Sequence, residues 1–149
     1  MRRVVFVASL GLAFAAGCGT ARWLTQANAA DAMVPQIIHV PELSGDALGP
    51  ASTTGFRSKT FGSAEGMTIS VQAGNVPKHM HPNTNEIQYI VEGMGTIWLG
   101  DKEVRVQPGD LVIIPKGTPH GGTKPDSGVF KSIAIKTPPQ APDDMKLLP

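Results

Sequence analysis

A chain of 149 residues with 41% hydrophobic content is long enough for one domain with a real core. Its formal charge of +1 becomes −2 when counted from Ala30 (10 basic and 12 acidic residues), and no basic run occurs, which excludes a nucleic-acid-binding balance. Seventeen Gly and thirteen Pro favour many short strands over long helices.

The amino terminus has the layout of a secretory leader. Met1-Arg2-Arg3 is followed by thirteen apolar or small residues from Val4 to Ala16, too short a run for a bilayer span of about 20 residues. Two exits are open. Ala27-Asn28-Ala29 fits a small-x-small cleavage pattern that would release a soluble protein beginning at Ala30. Ala15-Ala16-Gly17-Cys18 resembles a bacterial lipoprotein box with Cys18 as the lipidated residue, although Ala15 stands where a larger aliphatic residue is usual. Cys18 also reads simply as a small residue inside the leader. It is the chain's only cysteine, so the mature fold has no internal disulfide. The expectation is an exported, periplasmic bacterial protein, in which a leader over residues 1–29 precedes an extended segment over 30–54.

Ile37-Ile38-His39-Val40 suggests a short strand ended by Pro41, and Glu42 to Gly55 reads as loop. Arg57 and Lys59 belong to an amino-terminal strand that crosses the body or exchanges with a partner. Met67 to Val71 alternates apolar with polar, the pattern of a half-buried strand. Ala73-Gly74-Asn75 turns the chain into Lys78 to His81. Glu86 to Glu92 is a strand rich in β-branched residues; period 2 puts Glu86, Gln88 and Ile90 on one face and Ile87, Tyr89 and Val91 on the other. Thr96 to Leu99, Glu103 to Val106, Leu111 to Pro115 and Val129 to Ile135 are further strands between Gly- and Pro-rich turns. The tail over residues 137–149 holds four prolines and reads as extended and poorly anchored. Strands recurring at this spacing without helical periodicity describe an antiparallel sandwich or barrel.

Within that frame one stretch carries chemistry. His79 and His81 project from one face of a strand, and Pro82-Asn83-Thr84-Asn85 reads as a turn that brings Glu86 to the same point. Two imidazoles and a carboxylate converging in this way suit a divalent transition metal. His120, after Pro115-Lys116-Gly117-Thr118-Pro119, supplies a fourth ligand.

These residues resemble the two motifs of the cupin superfamily, and in particular its small single-domain bacterial members. The first motif reads Gly74, a spacer, His79-Met80-His81, four residues, Glu86, six residues, Gly93. Its leading spacer is one residue shorter than the common form. The second reads Gly109, five residues, Pro115-Lys116-Gly117-Thr118-Pro119-His120, with Lys124 where the family has Asn. The resemblance covers residues 55–136 and implies an all-β antiparallel double-stranded β-helix, a jelly-roll barrel. It further implies one metal ion (Mn, Fe, Ni, Cu, Co or Zn) on His79, His81, Glu86 and His120, a small-molecule ligand, and a homodimer. Gly93, Gly109 and Gly117 would take the positive φ angles of tight barrel turns.

Secondary candidates follow from position. Gln88 points into the interior and is a candidate to bind substrate or a metal-bound water. Tyr89 and Trp98 read as packing residues, Lys78 and Lys124 as surface lysines within reach of an anionic substrate, and Thr118 and Pro119 as shaping the turn that aims His120. His39 lies outside both motifs. Two functions fit. One is a metal-dependent enzyme of dioxygenase, decarboxylase or lyase type, an oxidoreductase or lyase acting on a small oxygenated or carboxylated molecule, with Glu86 as its base. The other is a non-catalytic periplasmic module that holds or senses a metal or small ligand. Cupins that cleave dimethylsulfoniopropionate commonly carry a tyrosine two residues after the Glu; Gln88 stands there and counts against that reaction.

Overall fold

The structure is a computed structural model and describes residues 33–64 and 66–149. The leader and Cys18 lie outside the described residues. Ten strands occur among them: β1 (Arg57–Ala64), β2 (Met67–Ala73), β3 (His79–Met80), β4 (Asn85–Glu92), β5 (Gly95–Leu99), β6 (Lys102–Val106), β7 (Leu111–Ile114), β8 (His120–Pro125), β9 (Lys131–Thr137) and β10 (Lys146–Leu147). They form two five-stranded sheets, β1-β2-β9-β4-β7 and β10-β3-β8-β5-β6, with every pairing antiparallel. The antiparallel all-β architecture expected from the strand spacing is present, in the two-sheet jelly-roll form that the family resemblance implies.

Alternation explains how the barrel is filled. Directly opposed residues of antiparallel strands share a face, so Glu86, Gln88 and Ile90 on β4 stand with Ile114 and Val112 on β7 and with Lys136, Ala134 and Ser132 on β9. That inner face changes character along its length. Ile90, Val112 and Ile114 join Ile97 and Val106 of the facing sheet and Phe130 in one apolar cluster, while Glu86, Gln88 and Lys136 make the neighbouring stretch polar. Tyr89, Leu111 and Ile113 point outward and are exposed, so Tyr89 faces away from the interior as alternation predicts but does not pack within the chain, which corrects the packing role read for it.

Gly93, Gly109 and Gly117 have φ angles of 88°, 98° and 78°. Gly93 meets a second demand, because a Cβ there would sit 2.6 Å from the carbonyl oxygen of Val129. The β4–β5 connection can pass the segment before β9 only without a side chain.

Two further expectations need correction. The segment Ile37 to Val40 is not a strand; Val40–Glu42 is a 3-10 turn with Pro41 near its start, since proline fixes φ and offers no N–H to a ladder. Residues after His120 form the strand β8, which pairs with both β3 and β5. The proline-rich tail is firmly held: β10 pairs with β3, and the Leu148 N–H donates to the Lys78 carbonyl at 2.9 Å. Its anchors lie about sixty residues away in sequence, beyond the reach of local pattern. Arg57 and Lys59 lie on β1, which pairs with β2 of the same chain.

Candidate metal centre

His79 opens β3 and faces His120, its direct partner at the start of β8. His81 follows on the same side one residue beyond β3, and Glu86 enters from β4 in the opposite sheet. All four side chains are buried, at 4% exposure or less. The three imidazole centres lie 4.9, 4.2 and 5.2 Å apart. One nitrogen from each histidine comes within 4.8 Å of the others. Glu86 Oε2 lies 3.3 Å from His81 Nε2 and 3.4 Å from His120 Nε2.

Each imidazole is oriented through its other nitrogen. His79 Nδ1 is 2.8 Å from the Pro77 carbonyl, His81 Nδ1 is 2.5 Å from that of Asp144, and His120 Nδ1 is 2.9 Å from that of Thr118. A carbonyl oxygen only accepts, so all three Nδ1 atoms carry the proton and, in the neutral ring, each Nε2 presents a lone pair. Lone pairs on His81 and His120 then face a carboxylate oxygen, and Glu86 Oε2 and His120 Nε2 have no hydrogen-bond partner. Buried acceptors turned toward one another are costly unless a cation lies among them. Atoms bound to one ion at about 2.0–2.2 Å are separated by roughly 3.0–3.5 Å at neighbouring positions, and the two Glu86 contacts match that spacing. The donor set therefore fits a divalent transition metal.

Electrostatics agree. Burial pushes the Glu86 carboxyl upward, while the Lys136 ammonium and the hydrogen bond from Gln88 pull it down and favour the ionised form. Burial, reinforced by His120 and His81 and opposed by the Pro77 carbonyl and Glu86, lowers His79 to about 4. Both groups are thus held in the deprotonated forms that bind metals.

The surrounding residues divide clearly. Gln88 Nε2 donates to Glu86 Oε1 at 2.8 Å and also lines the cavity. Thr118 supplies the acceptor for His120, in line with its expected part in aiming that ring. Lys78 lies with Nζ 3.9 Å from the Trp98 ring centre, and Lys124 pairs with Glu103; neither lines the cavity. His39 is exposed and belongs neither to the histidine cluster nor to the cavity wall.

Four contributors escaped sequence reasoning. Lys136 sits opposite Glu86 in the β4–β9 register, with Nζ 3.6 Å from Glu86 Oε2 and 3.4 Å from His81 Nε2. Asp144 holds the Asn83 N–H at 2.9 Å through its carboxylate while its carbonyl orients His81. Gly121 has φ 84°, and a Cβ there would approach the Pro77 carbonyl to 2.6 Å and His79 Nδ1 to 3.0 Å. Gln140 in the tail accepts from Lys136 Nζ. The glycine beside His120 was a visible signal; the other three depend on distant pairings.

A cavity of 520 Å³ opens onto His79, Glu86 and His120, with Gln88 and Lys136 in its wall and Ile97 and Phe130 on its apolar side. Its volume suits a small organic molecule.

Comparison with known proteins gives the following. The model of the cupin domain matches residues 67–135. An uncharacterised protein of Methanocaldococcus jannaschii is 33% identical over 70 residues, which are 47% of this chain and 56% of that relative, so the match spans little more than half of it. An uncharacterised conserved protein with a double-stranded β-helix domain from Klebsiella pneumoniae superimposes with a TM-score of 0.59 at 17% identity, covering 78% of this chain and 99% of the other. The nucleoside dehydratase Pac13 of Streptomyces gives 0.53 at 15% identity, covering 65% and 81%. The DMSP lyase DddQ of Ruegeria pomeroyi gives 0.52 at 22% identity, covering 62% and 51%. At these identities the solved structures speak for the fold alone.

Proposed function

The chain belongs to the cupin superfamily, and from that premise we propose that it binds one divalent transition metal through His79, His81, Glu86 and His120 and acts on a small oxygenated or carboxylated molecule. The observation that carries this reading is the set of three clustered histidines with Nδ1 committed to main-chain carbonyls, two of which, His81 and His120, turn Nε2 toward an unpartnered Glu86 oxygen. When bound, such a metal supplies Lewis-acid or redox chemistry to the molecule in the cavity. Glu86 holds the charge that balances the ion, and Gln88 fixes its carboxylate by donating to Oε1. A Glu86 oxygen released from the metal would serve as a base beside the substrate. The apolar side of the cavity, with Phe130 and Ile97, limits water around the reacting groups.

The reaction class is dioxygenase, decarboxylase or lyase. The named activities of two fold neighbours, a nucleoside dehydratase and a DMSP lyase, support small-molecule chemistry in a barrel of this kind. A second reading, a non-catalytic module that holds the metal or a small ligand, draws on the same donor set. The protein is further proposed to be exported, with release at Ala30 or lipidation at Cys18, and to form a homodimer; the outward apolar residues Tyr89, Leu111 and Ile113 support a second copy as partner.

Metal analysis of protein purified from its native compartment, with His81→Ala as control, tests the site. A stoichiometric metal lost in the variant is expected, and wild type that takes up no metal ends both readings. A substrate screen read by oxygen uptake and product analysis, comparing wild type with Glu86→Ala, then separates enzyme from module. Intact mass of the mature protein decides between Ala30 and a lipid on Cys18.

A further inference from the structure

Lys136 is the one lysine of the described chain seen in the cavity wall. Its side chain is 13% exposed, and Nζ reaches Glu86 Oε2 at 3.6 Å and His81 Nε2 at 3.4 Å while donating to Gln140 Oε1. An ammonium beside a metal-binding cluster is expensive. In the absence of metal it is balanced by Glu86, which explains its place. Once Glu86 serves a divalent ion, the buried group holds two positive charges from the ion and one from Lys136 against a single carboxylate. The histidines are neutral ligands and Gln88 and Gln140 are neutral amides. Asp144 is a second buried carboxylate on the Nδ1 side of His81; its Oδ1 accepts from the Asn83 backbone and side-chain N–H groups at 2.9 and 3.0 Å, its Oδ2 has no hydrogen-bond partner, and it does not line the cavity. The excess positive charge thus faces the cavity, where low dielectric magnifies it.

We propose that Lys136 anchors a carboxylate of the substrate, so that the molecule bound in this cavity is an organic anion held between the metal and the Lys136 ammonium. This rests on the metal-site reading above and narrows it. The carboxylate replaces the charge that Glu86 no longer provides to Lys136 and accepts from Nζ, while Gln140 holds the ammonium in place. Lys78 and Lys124, read from the sequence as surface lysines within reach of an anion, are occupied with Trp98 and Glu103. A second polar cavity of 270 Å³ shares Lys136 and Gln140 with the first and is walled by Thr68, Ser70 and Gln72, which leaves room for the polar remainder of such a molecule.

Cobalt-loaded protein, whose visible bands respond to ligands at the metal, provides the test. Acetate, inorganic phosphate and neutral acetamide are titrated into wild type, Lys136→Met and Lys136→Arg. Acetate is expected to shift the bands of wild type, to bind Lys136→Met about 10–100-fold more weakly, and to recover much of its affinity in Lys136→Arg, while acetamide has little effect. Lys136→Met should bind cobalt at least as tightly as wild type, because a neighbouring cation has been removed. Equal acetate affinity in wild type and Lys136→Met, acetamide binding as tightly as acetate, or a Lys136 dependence seen with phosphate alone would each overturn the proposal while leaving the metal site standing. Weaker cobalt binding in Lys136→Met with unchanged acetate affinity would reduce Lys136 to a structural partner of Glu86. Failure of wild type to bind cobalt at all overturns the metal reading and this one with it.

Discussion

Each imidazole in the cluster donates its Nδ1–H to a main-chain oxygen, so the acid–base behaviour of His79 is set by the fold around it. Burial, with His120 beside it, lowers His79 from 6.5 to about 4. Between those values the unfolded chain binds a proton that the folded chain does not, so stability falls as pH falls through this window. Glu86 stays ionised in the folded chain and adds a loss of the same sign only toward the acid end of this range, where the unfolded carboxylate takes up a proton near 4.5. The metal-free protein should therefore lose up to about 3 kcal/mol from His79 between pH 6.5 and 4. Urea midpoints measured across that range check this, with His79→Asn expected to flatten the slope; equal slopes in the two proteins would remove the assignment. Gln88 acts one step further out. Its amide holds Glu86 Oε1, and Gln88→Leu should weaken metal binding about 10–100-fold, as loss of a ligand's hydrogen-bond partner commonly does. Competition with a chromogenic chelator reads that change directly.

Strands and turns bring these residues together, and glycine separates two causes of turn strain. Gly93 and Gly109 both have positive φ, but a Cβ at Gly109 would meet nothing within 4 Å, whereas at Gly93 it would lie 2.6 Å from the Val129 oxygen. Gly109→Ala should cost about 1–2 kcal/mol of backbone strain and Gly93→Ala at least about 3; chemical denaturation of both variants tests the difference. The tail carries an analogous dependence, since removal of residues 143–149 takes away β10 and the acceptor of His81 Nδ1. The barrel and the convergence of four side chains were legible because they are written locally: alternation marks β2 and β4, Gly- and Pro-rich turns bound the strands that follow, and His79-x-His81 with Glu86 and His120 stands at recognisable spacing. What stayed hidden is non-local. Lys136 at the end of an apolar strand looks like a solvated lysine until β9 is laid beside β4, and Asp144 looks like tail until it meets Asn83. Pro41 converted an apolar run into a 3-10 turn, a case in which one residue outweighed three β-branched neighbours.

At the scale of the molecule, the four proposed ligands are divided between the two sheets. His79 and His120 belong to β3 and β8 with His81 adjacent, while Glu86 stands on β4 of the other sheet. A bound metal therefore joins sheets that are otherwise held by the apolar cluster of Ile90, Ile97, Val106, Val112, Ile114 and Phe130. Binding only to the folded state stabilises it by about 4 kcal/mol at a thousandfold excess over Kd, which should raise the thermal midpoint by roughly 10 °C or more for a chain of this size. The division of ligands makes a sharper prediction than the midpoint alone. Motions that part the sheets break the Glu86 bond but leave three histidines together on one side. In wild type, metal should slow amide exchange in β4 and β9 as well as in β3 and β8. In Glu86→Gln, metal held by the histidines should still protect β3 and β8 but no longer β4 and β9. Hydrogen exchange of both proteins with and without zinc measures this, and equal protection of both sheets in Glu86→Gln would show that the apolar cluster alone couples them.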